Sequence, residues 1–234
     1  MSFVLVALLV AVPIGASDEP TFSRSRSIMV QEQLVERGFD SPDLIRAFKR
    51  VPRHRFVTQG QETLAYQDVP VATGDGQTLY QASLSARLID LLDLDAGDRV
   101  LEIGTGSGYD AALLSELADE VFTIEIDPGR ADKARKLLDD LGYDNVHVRT
   151  GDGWLGWPEE APFDAILLTA APERVPDSLF DQLAVGGRMV VATGRVVQDL
   201  KVVTKTANGG REVRRVLPVR IGPMTRDSGG GPRR

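Results

Sequence analysis

Three glycines at alternate positions, Gly104, Gly106 and Gly108, directly follow the apolar segment 100–103. Glycines at every second position let the backbone turn sharply and approach a ligand closely, and the unpaired N–H groups of the following helix attract an anionic part of that ligand. The G-x-G-x-G spacing, preceded by the acid Glu102, differs from the G-x-G-x-x-G of dinucleotide-binding loops. This stretch therefore predicts a nucleotide cofactor, and it favours S-adenosylmethionine over NAD.

Two carboxylates follow at the ends of the next apolar segments. Glu125 lies near the end of segment 121–126, about 20 residues beyond the glycine loop, where a carboxylate can accept hydrogen bonds from both ribose hydroxyls. Asp152, followed by Gly153, comes after the short segment 146–149, where it can accept an amino hydrogen of adenine. A plain turn favours the same residues, so a structural turn is the alternative for Asp152. The glycine loop and both acids together are more specific than any one of them.

The elements that would position these residues alternate between strand and helix from about residue 99 onward. This alternation predicts an α/β fold, a Rossmann-like, doubly wound, mostly parallel sheet with helices on both faces and the ligand at its carboxyl edge. Apolar residues at helical spacing within 27–49 predict an N-terminal helical extension of two helices. The break between them ends at Ser41, the expected N-cap of the second helix, with Pro42 at its first position.

The chain length of 234 residues suffices for one well-filled core. Segments 200–206 and 213–221 predict a C-terminal antiparallel pair of strands across a glycine-rich turn. The expected organisation is an export-signal-like segment at 1–17, N-terminal helices and an active-site loop at 18–98, a Rossmann-like core at 99–225 that forms one compact domain with 28–98, and a flexible tail at 226–234.

The first 17 residues resemble a secretory signal, with an apolar run at 3–12 and small residues around Ala16 and Ser17 where cleavage is expected. The run is too short to span a bilayer as a helix, so no stable membrane span is expected. Because no Lys or Arg stands near Met1, the alternative is that translation begins at Met29 and that the protein is cytoplasmic.

The composition excludes several kinds of site. The net charge of −7 and the pI of about 5.0 argue against a nucleic-acid-binding protein, since a basic surface is what attracts phosphate. The chain has no Cys, which excludes disulfides, thiolate nucleophiles and Cys-based zinc sites. His54 and His147 are both expected to be structural, and no metal site is predicted.

The polar, glycine-punctuated loop 73–82 lies just before a predicted helix at 83–92, and such loops commonly carry function. In methyl transfer from a sulfonium the leaving group is already activated, so a carboxylate acceptor, ionised at neutral pH, needs no general base. The turn 169–172 after the fourth core strand lacks the aromatic stack expected of adenine-amine methylases. These features favour a carboxylate acceptor over nucleic acid.

Eight short motifs occur in combination along the chain: residues 29–34, 51–57, 65–68, 76–78, 100–108, 151–153, 160–166 and 218–220. Through these motifs the chain resembles the protein-L-isoaspartate O-methyltransferases over residues 28–225. The resemblance implies a Rossmann-like methyltransferase that uses S-adenosylmethionine to esterify the abnormal carboxylate of L-isoaspartyl residues in damaged proteins or peptides, which starts their repair through a succinimide. A monomer is expected.

The resemblance also implies roles for individual residues. Gly104, Thr105 and Gly106 would face the methionine part of the cofactor. Glu125 would bind its ribose. Asp152 and Gly153 would lie at the adenine, and Gln77 would contact the cofactor. Thr78 and the residue at position 80 would act in catalysis. Gly76, Gln81 and Thr225 would lie near the substrate.

One departure from the family pattern falls in the active loop. The family loop has Gln-Thr-Ile-Ser followed by Gln or Ala and then Pro, with the Ser regarded as catalytic, whereas Tyr80 stands here at the Ser position and Ala82 at the Pro position. We hypothesise three outcomes: altered substrate choice, reduced activity, or retained activity with Tyr80 swung aside. The alternatives to repair methylation are therefore a cofactor- or peptide-binding protein with reduced or lost turnover, and a methyltransferase for another peptide or small-acid carboxylate.

Overall fold

The computed structural model describes residues 19–74 and 76–226. The predicted leader at 1–17 and nearly all of the predicted tail at 226–234 lie outside the described residues. In the part of the chain that is described, no helix combines the length and the apolar composition needed to cross a bilayer. The described α-helices are α1 (Glu19–Gln33), α2 (Pro42–Arg50), α3 (Ala82–Asp90), α4 (Tyr109–Ser115), α5 (Pro128–Leu141) and α6 (Asp177–Asp181).

The strands form one small and one large sheet. The described strands are β1 (Val71–Gly74), β2 (Gln77–Leu79), β3 (Arg99–Ile103), β4 (Glu120–Glu125), β5 (Val146–Thr150), β6 (Phe163–Leu168), β7 (Leu183–Thr193), β8 (Gln198–Lys205) and β9 (Arg211–Val219). The large sheet has the order β5-β4-β3-β6-β7-β8-β9. Strands β3 to β7 are parallel, and β8 and β9 extend the sheet as an antiparallel pair. The predicted fold class is confirmed.

The carboxyl edge beside β3 is where the chain reverses its direction of winding. From β3 the chain passes outward to β4 and β5, then returns to pair β6 against the opposite side of β3, with Val100 beside Ala165. The connections diverge at this switch point and leave a crevice at the strand ends, which is where open α/β sheets bind ligands. The topology therefore places a site after Ile103, where the glycine loop begins.

The two faces of the sheet are covered unequally. One face joins a large core with residues from α1 to α5, including the fully buried Phe48, Leu88 and Leu113. The other face has a smaller core, and among the described helices only the short α6 contributes to it, with Leu179 and Phe180. The N-terminal helices therefore belong to the same packed unit as the sheet, because they complete its larger core.

The first two helices are formed as expected, with one difference. Ser41 accepts a hydrogen bond from the N–H of Leu44 at 3.3 Å, and Pro42 occupies the first helical position. The break between α1 and α2 includes Gly38 with φ +86°, a left-handed conformation that favours glycine. Helix α1 begins at Glu19 rather than near residue 27, because helical structure continues into a polar segment that lacks apolar periodicity.

Two local predictions are wrong. The polar loop at 73–82 contains the antiparallel pair β1–β2, with Ala72 beside Thr78, and the chain reverses through Gly76. The pair Gly186-Gly187 also predicts a turn into a fifth core strand at 188–192, whereas β7 begins at Leu183, so the glycine pair lies inside the strand at a register shift against β6. A Cβ at Gly187 would lie 2.6 Å from the carbonyl oxygen of Asp164, so the glycine serves strand packing instead of a turn.

Both histidines are structural, as expected. His54 is buried, its Nδ1 lies 2.7 Å from the Tyr66 hydroxyl, and its ring stacks on Phe22. His147 lies on β5 beside Phe122, with ring centroids 4.9 Å apart, and is partly exposed. Neither ring lines the cavity described below.

Candidate active site

A cavity of about 720 Å³ opens at the carboxyl ends of β3, β4 and β6. Its size is within the range of pockets that enclose a nucleoside-sized ligand. The lining combines the glycine loop, the end of β4, the β2 loop and the C-terminal segment that follows β9. The lining residues are Thr73, 77–80, 103–107, Tyr109, Asp110, 124–126, Pro128, Arg130, Gly153, Thr169, Ala170 and 222–226.

The glycine loop is held close to the end of β6. Gly104 has φ +102°, and a Cβ there would lie 2.4 Å from Thr169 Oγ1. The Thr169 hydroxyl donates to the carbonyl oxygen of Gly104 at 2.7 Å. Gly106 has φ +54°, and a Cβ there would meet no atom within 4 Å. Since Gly106 lines the cavity, a side chain at this position would project into ligand space.

Glu125, the predicted ribose ligand, is only 4% exposed and is extensively hydrogen-bonded. Its Oε2 accepts from the N–H of Gly106 at 3.0 Å, and its Oε1 accepts from the N–H of Asp127 at 3.0 Å. Arg130 donates to the same Oε1 from Nε at 3.0 Å and from Nη2 at 2.7 Å. A carboxylate offers about four lone-pair directions, so Oε2 keeps one for a ligand hydroxyl and Oε1 has none to spare.

Arg130 is a site residue that sequence analysis missed. It lies in the first turn of α5, where Asp127 caps the helix by accepting from the N–H of Arg130 at 3.0 Å. This turn directs the guanidinium back to Glu125 at the end of β4, and the arginine side chain is 20% exposed. A cation five residues after the predicted ribose acid, at the start of a helix, was the available signal.

The predicted adenine residues are placed differently from each other. Gly153 lines the cavity, and a Cβ there would lie 2.5 Å from Ile103 Cγ2, so only glycine brings the backbone this close to β3. Asp152 does not line it, and its Oδ1 accepts from the N–H of Trp154 at 2.9 Å. The turn alternative therefore accounts for one oxygen of Asp152, while its role at an adenine stays a prediction.

Three of the predicted loop residues line the other side of the cavity. Gln77 and Thr78 are exposed on β2, and Tyr80 follows that strand. The Tyr80 hydroxyl donates to the carbonyl oxygen of Thr169 at 2.5 Å, which connects the loop to the end of β6. Burial, with the nearby Asp110 and Glu102, raises the pKa of the Tyr80 hydroxyl, so this phenol stays a hydrogen-bond donor at neutral pH.

The remaining predicted substrate residues are divided between the rim and the cavity. Gly76 and Gln81 do not line the cavity, and Gln81 Nε2 donates to the carbonyl oxygen of Asp68 at 3.4 Å. Thr225 does line it, and its carbonyl oxygen accepts from Trp154 Nε1 at 3.1 Å. The C-terminal segment is thereby held over the cavity, although no strand or helix contains it.

Beneath Tyr80 lies a group of buried charged side chains that sequence analysis did not assign to the site. Glu102 is fully buried, and its Oε2 accepts from Thr123 Oγ1 at 2.5 Å. Burial raises the pKa of Glu102, and the neighbouring Asp110 adds to the effect. Asp110 lines the cavity, and burial raises its pKa too. The buried Arg53 donates from Nε to the carbonyl oxygen of Ala65 at 2.7 Å.

Comparison with known proteins identifies the family. A family model described as protein-L-isoaspartate (D-aspartate) O-methyltransferase matches residues 24–229. The protein-L-isoaspartate O-methyltransferase of Gloeobacter violaceus is 48% identical over 201 residues, which cover 85% of this chain and 98% of that protein. The likeness therefore includes the N-terminal helices and the C-terminal segment as well as the sheet.

Solved structures show the same likeness. A protein-L-isoaspartate O-methyltransferase superposes with a TM-score of 0.77 at 30% identity, over 85% of this chain and 65% of the solved chain. A Plasmodium falciparum structure bearing this family name, in complex with S-adenosyl-L-homocysteine, superposes with a TM-score of 0.72 over 86% of this chain and 98% of that chain. At 23% identity, the second likeness shows the fold alone.

Proposed function

This chain belongs to the protein-L-isoaspartate O-methyltransferase family, and on that premise we propose that it methylates the carboxylate of L-isoaspartyl residues in damaged proteins and peptides. The methyl donor is S-adenosylmethionine. The observation that carries the proposal is the joint presence of the glycine loop, Glu125 and the active loop around one cavity. Three segments far apart in the chain thus meet where donor and acceptor have to meet.

The residues around the cavity fit this cofactor. Oε2 of Glu125 keeps an acceptor position toward the cavity, as a ribose hydroxyl requires. The space next to Gly106 is open because the residue has no side chain. Gly153 lets the backbone approach Ile103 of β3 closely. Glu125 would hold the ribose, the glycine loop would hold the methionine part, and the turn at Gly153 would border the adenine.

The protein's contribution to the reaction is positioning. When bound, the cofactor supplies a methyl group on a sulfonium, which leaves as a neutral thioether, so an ionised carboxylate attacks it without a general base. Tyr80 stays protonated, so it cannot take up a proton, and its one donor hydrogen is held by the carbonyl oxygen of Thr169. Gln77 and Thr78 face the cavity from the loop side and can border an extended peptide. The segment 222–226 lines the cavity on another side.

The test is methyl transfer to matched peptides. Purified protein with labelled S-adenosylmethionine is offered one peptide with L-isoaspartate and the same peptide with L-aspartate. We expect methyl ester on the isoaspartyl peptide only. Cofactor binding without transfer to either peptide would favour the alternative of a binding protein, and transfer to other acids would favour another acceptor.

The proposal extends to a monomer that does not act on nucleic acid. Strand β9 ends the large sheet, and it carries the exposed Arg211, Arg214 and Arg215. Charged side chains on an edge strand oppose pairing with a second copy, and the acidic net charge of −7 opposes binding to phosphate. Light scattering after size-exclusion chromatography measures the mass, and a dimer mass would contradict this part.

The cellular location is a separate proposal. We propose that residues 1–17 are an export signal, supported by the apolar run at 3–12 and the small residues that follow it. N-terminal sequencing of the native protein tests it. A mature chain that begins near Ser17 is the expected result, whereas one that begins at Met29 would support the cytoplasmic alternative.

A further inference from the structure

Asp110 is a buried carboxylate without a partner at the wall of the cavity. The residue lies in the first turn of α4, directly after the glycine loop, and is 9% exposed. Its Oδ1 is out of contact with solvent and accepts no hydrogen bond. No hydrogen bond or ion pair within residues 19–74 and 76–226 ends on either oxygen of this carboxylate. Ser85 lies close enough to lower the pKa of Asp110, yet its Oγ makes no hydrogen bond with a described residue.

No charged group among the described residues forms an ion pair with Asp110. Glu102 is a second acid, with its Oε1 also unpartnered, and Asp110 helps to raise its pKa, so Glu102 supplies no positive charge. The charge of Arg53 lowers the pKa of Asp110, but Arg53 makes no hydrogen bond with it. Its Nε and Nη2 donate to the carbonyl oxygens of Ala65 and Tyr80, and its Nη1 has no hydrogen-bond partner among the described residues. Its guanidinium carbon lies 4.7 Å from the centre of the Tyr109 ring. The phenol of Tyr80 donates away from Asp110, to the end of β6.

An uncompensated buried carboxylate is costly for a folded protein, because burial removes the water that would stabilise its charge. A cation supplied by a ligand would recover that cost. The methyl donor carries two positive charges, the α-ammonium and the sulfonium of its methionine part. The glycine loop that would hold this part ends at Gly108, two residues before Asp110.

We propose that Asp110 pairs with the positive charge of the methionine part of the methyl donor and thereby binds and orients it. The inference rests on the proposed function, because it assumes that S-adenosylmethionine is the ligand. The other two acids are less suited to this role. Glu102 does not line the cavity, and the Oε1 of Glu125 is occupied by Arg130.

Calorimetric titration of wild type and Asp110→Asn with three ligands tests the proposal. S-adenosylmethionine carries both cations, S-adenosylhomocysteine carries only the ammonium, and 5′-methylthioadenosine carries neither. Removing a charge-assisted contact is expected to weaken binding about 10- to 100-fold. Asp144→Asn, which removes the same charge from an exposed position, is the matched control and should bind as wild type does.

The pattern across ligands identifies the cation. Equal weakening for S-adenosylmethionine and S-adenosylhomocysteine, with 5′-methylthioadenosine unchanged, supports pairing with the ammonium. Weakening for S-adenosylmethionine alone supports pairing with the sulfonium. Unchanged affinity for all three ligands, or equal weakening for all three, overturns the proposal. If wild type itself does not bind S-adenosylmethionine, the proposed function fails; if wild type binds and methylates normally while Asp110→Asn is unaltered, only this inference fails.

Stability of the ligand-free protein provides a second readout. Because the pKa of Asp110 is raised in the folded state, the folded protein binds more protons than the unfolded chain, and stability falls as pH rises from the unfolded pKa to the folded pKa. Asp110→Asn should fold, and its stability should fall less over this range. If the Asn variant does not fold, the smaller Asp110→Ser replaces it in the titrations. A pH dependence identical to wild type would contradict an uncompensated charge at Asp110.

Discussion

Two carboxylates of the same cavity, Glu125 and Asp110, are built in opposite ways. Glu125 accepts from two backbone N–H groups and from two guanidinium nitrogens of Arg130. Asp110 is similarly buried, but its Oδ1 accepts no hydrogen bond from any described residue. One acid is therefore satisfied before the cofactor arrives, whereas the other is not.

The difference separates two tasks of a binding site. Glu125 is saturated in the sense that four protein N–H donors already bind it. It is therefore rigid and presents a fixed acceptor position at Oε2, which suits recognition of a neutral hydroxyl on the ribose. Asp110 lacks such donors among the described residues and keeps its negative charge available, which suits binding of a cationic group. The predictions below test this contrast, in order of decreasing effect.

Removing the saturated acid should have the largest effect. Glu125→Ala leaves the guanidinium of Arg130 and the N–H of Gly106 without their acceptor, and losing one partner of a buried ion pair costs about 3–5 kcal/mol. We expect S-adenosylhomocysteine binding, measured by calorimetry, to weaken by more than about 100-fold. Glu212→Ala on the exposed strand β9 is the control. Near-normal affinity in Glu125→Ala would show that this acid does not hold the ribose.

Changing the loop that supports Glu125 should come next. Gly104→Ala places a Cβ 2.4 Å from Thr169 Oγ1 at φ +102° and is expected to lower the free energy of unfolding by about 2–4 kcal/mol. At Gly106, φ is +54° and the space for a Cβ is open, so Gly106→Ala should lower the free energy of unfolding by only about 1 kcal/mol. Its methyl group projects into the cavity and should weaken cofactor binding. Urea denaturation and calorimetry measure both properties. Equal destabilisation by the two variants would contradict the packing argument.

Removing the partner of Glu125 should have a smaller effect. Arg130→Leu frees Oε1, and because the arginine is partly exposed we expect about 1–2 kcal/mol weaker cofactor binding. The freed oxygen also changes ribose recognition. In wild type only Oε2 can accept from a ribose hydroxyl, so only one of the 2′-deoxy and 3′-deoxy analogues of S-adenosylhomocysteine should bind much more weakly than the parent compound. In Arg130→Leu both oxygens can accept, so both analogues should bind more weakly than the parent compound. Arg135→Leu, on the same helix but away from the cavity, is the control, and identical discrimination in wild type and Arg130→Leu would refute the occupied-oxygen argument.

The smallest change concerns the phenol above Asp110. Tyr80→Phe removes the hydrogen bond to Thr169, and we expect a loss of about 0.5–1.5 kcal/mol in stability with cofactor affinity nearly unchanged. Tyr80→Ser opens the cavity where peptide and methyl group meet. Methyl transfer by both variants to the isoaspartyl peptide separates the hypotheses about this position. Unchanged kcat and KM in Tyr80→Ser would show that position 80 does not limit catalysis.

Much of the site was accessible from the sequence because its parts are local. The glycine loop follows β3, Glu125 ends β4 and Gly153 lies just beyond β5. Because the carboxyl ends of parallel strands lie at one edge, their convergence followed from the alternation of elements. The hairpin in the active loop was missed because β1 and β2 have only four and three residues, too few to show an apolar alternation. The long β7 was missed because its glycines resemble a turn.

The sequence by itself determined the fold class, the cofactor edge, the family and the unusual Tyr80. Only the tertiary structure decided that Arg130 saturates Glu125 and that Asp110 has no partner. The physical reason is that hydrogen-bond saturation depends on side chains from several elements meeting in three dimensions. Spacing along a strand or helix predicts where a carboxylate lies, but its partners come from elements distant in the chain, and these partners decide whether its charge is available.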